Sequence, residues 1–253
     1  MRKFIFIILV IALGLFLLNF TDIVKDEGKG YKLVDRDSHG LKKEAFEYIG
    51  ERIAYEVKFG NFRLGEAIFR RLENTQLDGK PAILMTFETK VTGFYDLETI
   101  YSDPSSFFPL RVTRKLSGLT FNEDIVEAYD QKNFVLTIAK FKNNKKIEET
   151  KFDNHGQPIY NAVSLPFYLR RIPGLKPGWN LLTQFGNLEY NILLVSRENL
   201  ETPLGAFETY RFQSQPRKFE IWVTADERRI PVKIKDSGML GYTLLMKEYS
   251  IEK

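Results

Sequence analysis

Short runs in which apolar and polar residues alternate, cut apart by turn residues, restrict this chain to one kind of secondary structure. In Glu51–Phe59, Ile53, Tyr55, Val57 and Phe59 share one parity and Arg52, Glu56 and Lys58 the other, the period of a half-buried strand. Phe219–Tyr249 carries three strands in succession: Phe219–Thr224, Ile230–Lys235 and Gly241–Tyr249. Turn residues join them, Ala225-Asp226-Glu227-Arg228 and then Asp236-Ser237-Gly238. Pro231 has no N–H to give a ladder, so it belongs at a strand start or on an edge. Gly60-Asn61 turns the chain into Phe62–Leu72, where Gly65 marks a bulge or a close approach of backbones. Similar runs follow at Pro81–Val91, Leu97–Ser102, Pro109–Leu116, Glu123–Tyr129, Phe134–Phe141 and Ile147–Phe152. They resume at Trp179–Phe185, Tyr190–Val195 and Phe207–Gln213. Strands this short and this regularly spaced make an all-β protein with hairpin connections.

One stretch has a different period. From Ala162 the apolar positions step through Leu165, Leu169 and Ile172, which is helical spacing. Ser164 suits the N-cap, Pro166 the first turn, Arg170 and Arg171 the last, and Pro173-Gly174 ends the helix. Tyr190–Val195 is apolar on both parities, which implies cover on both faces. A long antiparallel sheet curved around one short helix, a half-barrel, satisfies both patterns. A β-sandwich is the alternative.

At 253 residues the chain has room for one large β domain. Met1-Arg2-Lys3 followed by the unbroken apolar run Phe4–Leu18 reads as a signal peptide or an uncleaved membrane anchor, residues 1–20. Basic residues before the run and Asp22, Asp26 and Glu27 after it place the bulk of the chain outside the cytoplasm, in the periplasm or cell envelope. Residues 21–45 are charged and Gly-interrupted, a linker, and 46–253 form the β-rich domain. The net charge of +4 is too small to argue for nucleic acid. Cysteine is absent, which removes disulfides, thiolate chemistry and a lipid-bearing cysteine. The two histidines, His39 in the linker and His155 in a loop, read as solvated, so neither a metal nor another cofactor is expected.

The order of several short motifs carries a resemblance. Gly50-Glu51 with its alternating strand and Gly65 comes first, then Ser164 and Phe167-Tyr168-Leu169-Arg170, then Gly178. Glu198, Thr202-Pro203-Leu204-Gly205-Ala206-Phe207, Ile221-Trp222-Val223, Asp226, Arg229-Ile230-Pro231-Val232 and Gly241 follow. Over about residues 46–249 the chain resembles the exported bacterial family catalogued as domain of unknown function 3108. Two positions depart from the pattern: Asn161 stands where an Asp is expected, and Pro166 interrupts the helix. The resemblance implies an envelope protein with a curved sheet similar to the lipoprotein-carrier half-barrels, and it implies no activity.

No nucleophile elbow, zinc-protease, Walker or dinucleotide motif is present. The adjacent pairs Asp226-Glu227 and Glu123-Asp124 read as solvated turns. Three functions stay open. The first is a non-catalytic binder of an apolar or lipid-like ligand, with Trp222, Tyr168 and Tyr55 lining the site and Arg170 and Arg229 holding a headgroup. The second is an envelope scaffold or assembly factor that offers a sheet edge to a protein partner. The third is a carboxylate-dependent hydrolase, which needs converging carboxylates. In each, the membrane is met through the N-terminal segment.

Overall fold

The computed structural model describes residues 48–185, 188–237 and 241–252. The expected leader (1–20), the linker (21–45) and His39 lie outside the described residues. Alternation becomes strand almost run for run. The first half of the chain forms β1 (Glu51–Phe59), β2 (Phe62–Arg71), a short β3 (Thr75–Leu77), β4 (Lys80–Val91) and β5 (Phe94–Ser102). It continues with β6 (Pro109–Gly118), β7 (Asn122–Asp130), β8 (Val135–Lys142) and β9 (Lys145–Asp153). The second half forms β10 (Asn180–Phe185), β11 (Leu188–Thr202), β12 (Gly205–Gln215), β13 (Phe219–Thr224), β14 (Pro231–Asp236) and β15 (Tyr242–Ile251).

Each half is an antiparallel meander, and the two join where β1 lies against β15, with Glu51 opposite Ile251 and Phe59 opposite Tyr242. The order is β10-β11-β12-β13-β14-β15-β1-β2-β4-β5-β6-β7-β8-β9, one open sheet with β3 paired to β4 at the side. The half-barrel expectation therefore holds, and the sandwich does not. Two local expectations hold as well. Pro231 is the first residue of β14. A Cβ on Gly65 would sit 2.0 Å from the Lys90 carbonyl oxygen, beside a register shift between Val57 and Lys58.

Curvature follows from what the sheet encloses. Phe185 on β10 and Asp96 on β5 line one cavity, yet they are nine strand steps apart in the order. In a flat sheet nine steps of about 4.8 Å would separate them by roughly 43 Å. The sheet must curl until its inner face nearly meets itself.

The segment 154–179 connects the two edge strands, β9 and β10, and carries the helix α1 (Leu165–Leu169). α1 is shorter than the spacing predicts. Pro166 occupies its first turn, and Ser164 makes no side-chain cap bond. Asn161 takes that role: its Oδ1 accepts the N–H groups of Val163 and Ser164, both at 3.0 Å. The apolar stripe faces inward as expected. Leu165, Leu169 and Ile172 pack in a cluster with Trp179, Ile192 and Phe212. Phe167 stacks on Phe69 of β2 at 3.6 Å and so belongs to the other main cluster. Arg171, expected to project from a helix end, is instead buried with its guanidinium 5.1 Å from the centre of the Phe107 ring.

One strand expectation is corrected. Tyr190–Val195 is not covered on both faces, because Val195 is 42% exposed at a bulge between Leu194 and Ser196. The strand with both faces buried is β13. Its outer face is covered by the far half of the β11–β12 hairpin, whose Leu200 and Phe207 pack in the cluster that contains Trp222.

Candidate functional site

Three neighbouring strands each put a charged residue where the core parity calls for an apolar one. Asp96 and Glu98 stand between Phe94 and Ile100 on β5, Arg114 between Val112 and Leu116 on β6, and Glu127 between Ile125 and Tyr129 on β7. All four are buried, Glu127 completely. Register brings them together: Glu98 faces Arg114 directly across the β5–β6 pair. Arg114 ion-pairs with Asp96 through Nη2, and its Nε lies 3.3 Å from Glu98 Oε1. The Tyr129 hydroxyl donates to Glu127 Oε2 and itself accepts from Asn161 Nδ2 at 3.2 Å. Glu127 Oε1 has no hydrogen-bond partner.

One guanidinium cannot neutralise three carboxylates in a dry interior, and burial favours the uncharged acid. Glu98 is accordingly pushed up to about 8, mainly by desolvation against the opposing attraction of Arg114. Asp96 and Glu127 are raised for the same first cause. Arg114 is raised as well and stays charged, because the surrounding carboxylates outweigh its desolvation. At neutral pH the cluster therefore offers both hydrogen-bond donors and acceptors.

This cluster forms one wall of a cavity of about 100 Å³ beneath α1. Thr89, Asp96, Glu98, Arg114, Asn161, Asp236 and Tyr242 are its polar lining. Its apolar lining comes from Phe87, Phe167, Phe185, Phe219, Ile221, Ile234 and Leu244, with Val163 and Leu165 from the helix segment. For scale, an engineered apolar cavity of about 150 Å³ admits benzene, and a water molecule takes about 30 Å³ of liquid. The space suits a small group or a short piece of chain. A complete acyl chain requires α1 and its flanks to move outward. Among the described residues, no three potential ligands come together to hold a metal ion.

None of the five residues singled out from sequence lines this cavity. Tyr55 is wholly buried and donates to the Pro231 carbonyl at 2.9 Å. Tyr168 stacks on Phe108 and meets Tyr160 edge-on, centroids 5.0 Å apart. Arg170 and Arg229 do come together, but on the protein itself. Arg170 forms a bidentate pair with Glu51 at 2.7 and 2.9 Å and donates to the Arg228 carbonyl. Arg229 donates to the carbonyls of Arg170 and Ile172. Trp222 lies on the outer face. Its Nε1 donates to Glu198 at 2.8 Å, and Lys233 Nζ sits 4.4 Å above the ring. The residues that sequence reading missed, Asp96, Glu98, Arg114 and Glu127, had a signal: charges set within an apolar parity on three successive strands. Phe94 and Ile100 flank the Asp96–Glu98 pair, Val112 and Leu116 flank Arg114, and Ile125 and Tyr129 flank Glu127.

The profile of the family described as protein of unknown function, DUF3108, matches residues 54–247. No curated protein matches the chain. Among solved structures, a beta-barrel-like protein of domain of unknown function DUF1849 from Brucella abortus is similar over 83% of this chain and 100% of its own, at 10% identity and a TM-score of 0.51. A protein from Bacteroides fragilis, described as exported and of YmcC-like fold, covers 81% of this chain and 99% of its own at 12% identity, with a TM-score of 0.31. The first speaks for the fold alone, and the second, at that score, adds no weight.

Proposed function

The chain belongs to the DUF3108 family, proteins of unknown function, and we propose that this member is a non-catalytic, extracytoplasmic binder of an apolar or lipid-like ligand held under α1. The observation that carries this reading is the mixed lining of the cavity: apolar side chains for a hydrocarbon part and, among them, the Arg114–Asp96–Glu98 cluster for a polar end. Neutral Glu98 is a hydrogen-bond donor and Arg114 a fixed charge, a pairing that suits an oxygen-bearing headgroup. The extracytoplasmic location rests on the basic start and the apolar run Phe4–Leu18. Among the described residues no helix is long and apolar enough to cross a membrane.

The test is a titration of the purified protein with a fluorescent palmitate analogue. The reading expects saturable binding that unlabelled palmitate displaces. Val163→Trp, which adds bulk from the cavity's roof, should abolish or greatly weaken it. Binding that is equal in wild type and Val163→Trp would put the probe elsewhere and end the proposal. Intrinsic fluorescence of Trp222 is the wrong reporter, since that ring faces away from the cavity.

One observation favours a second reading, carboxylate-dependent hydrolysis: Glu98 and Asp96 both face the cavity. Both are also held by the same guanidinium, as one ion-paired cluster and not as a facing acid and base. Edge-strand recruitment of a protein partner fares worse. The edge strand β9 reads Lys145, Lys146, Ile147, Glu148, Glu149 and Lys151 along exposed positions, the charge pattern that blocks strand addition.

A further inference from the structure

We propose that one rim of the half-barrel is a docking surface for a bilayer rich in anionic phospholipid. β1 runs toward this rim, and antiparallel pairing then places the β1–β2, β4–β5, β6–β7, β8–β9 and β12–β13 turns along it. Large apolar side chains protrude at or just behind these turns. Phe62 is 75% exposed and Leu119 77%, with Phe59 and Ile147 about half exposed. Isolated exposed apolar residues are ordinary, but the two most exposed, Phe62 and Leu119, both stand at turn tips of this rim.

Charge follows the same division. The β8–β9 turn carries Lys142, Lys145 and Lys146, the β1–β2 turn Lys58 and Arg63, the β4–β5 turn Lys90, and the β12–β13 turn Arg217 and Lys218. Glu56, Glu88 and Glu149 stand a step back along the strands and pair with some of them. Such exposed pairs are weak and leave the outermost charges free to meet a negative surface. The described acids at these strand ends are Glu123, Glu189 and the strand-terminal Asp236. At the opposite rim the turns carry Asp78, Asp103, Asp130, Asp153, Asp226 and Glu227 against few basic groups, Lys132 and Arg228 among them. The molecule is thus polarised in charge along its strands, and its two most exposed apolar side chains, Phe62 and Leu119, stand at the basic end, while Leu72, Leu204 and Ile251 at the other rim are less exposed. Apolar tips that enter the headgroup region, ringed by lysine and arginine, are the chemistry of attachment to an anionic membrane surface. Cavity-lining Phe185, Phe219, Asp236 and Tyr242 are the terminal residues of their strands at this same rim. Docking does not depend on a ligand there.

The natural absence of cysteine allows one dye per molecule. The full chain is reconstituted in vesicles with an environment-sensitive dye at Leu119→Cys, and in parallel at Lys132→Cys on the opposite rim. Both sites are exposed turn positions. The proposal expects a blue shift and quenching by lipid-borne quenchers at Leu119→Cys in equimolar phosphatidylglycerol and phosphatidylcholine. The signal should be lost in high salt and in the Lys142→Glu/Lys145→Glu/Lys146→Glu background, with none at Lys132→Cys. No shift at Leu119→Cys, an undiminished shift in pure phosphatidylcholine, or equal shifts at both sites would overturn it. Palmitate binding is read separately, so either idea can fail alone.

Discussion

Arg170 and Arg114 show how the same side chain does different work according to what faces it. Arg170 and Glu51 are both almost wholly buried and satisfy each other with two parallel bonds, reinforced by the Tyr249 hydroxyl at 3.1 Å from Glu51. The pair ties the end of α1 to the start of β1. Removing one partner strands the other charge, so Arg170→Met should cost about 3–5 kcal/mol in urea unfolding. The double variant with Glu51→Gln should cost less than the sum of the two single changes. Arg114 is outnumbered by carboxylates, and that gives a pH dependence of definite sign. Glu98 titrates at about 8 in the folded chain against an ordinary 4.5. Between those values the folded state holds a proton that the unfolded state has released, so its contribution to stability falls as pH rises. Melting temperature should drop between about pH 5 and pH 8, and Glu98→Gln should flatten the slope. Neither role was legible in the residues alone. Arg170 reads as a candidate anion site until its cross-sheet partner, 119 positions away in sequence, is seen.

At the scale of elements, α1 closes the open side of the sheet, and its short length conceals how much it contributes. Leu169 is fully buried and Phe167 nearly so. Leu169→Ala should cost about 2–5 kcal/mol, and Phe167→Ala about 3–5 kcal/mol with loss of the stack on Phe69. Unfolding midpoints equal to wild type would show instead that the segment is peripheral. Local periodicity made most strands readable because one face of the sheet is wet. It failed where tertiary contacts decide. Ser196–Thr202 is polar enough to read as a loop, yet it is strand, paired to β12 as far as the Thr202–Gly205 turn. That extra length buries Trp222, so the aromatic on a polar face reflects cover by a hairpin and not an open binding wall. Phe94–Ser102 reads only from Leu97 onward for the opposite reason: Asp96 looks wrong for an inner face until Arg114 is placed beside it.

Across the whole molecule, the two meanders meet at the chain's ends, and the segment carrying α1 crosses from one free edge to the other. An open curved sheet was legible from strand count, turn chemistry and the single helix. The degree of filling was not, because alternation says which side is inside and not how far the inside is from itself. Curling brings β10 within reach of β5 and leaves a small space lined by apolar and charged side chains together. That space is the centre of the functional account. The measurement that bears on it most directly is native mass spectrometry of the full chain extracted from the membranes of cells that make it. The account predicts a discrete added mass, matching one apolar or lipid-like molecule, on wild type and its absence from Val163→Trp. Bare protein in both, or the same added mass in both, would contradict it.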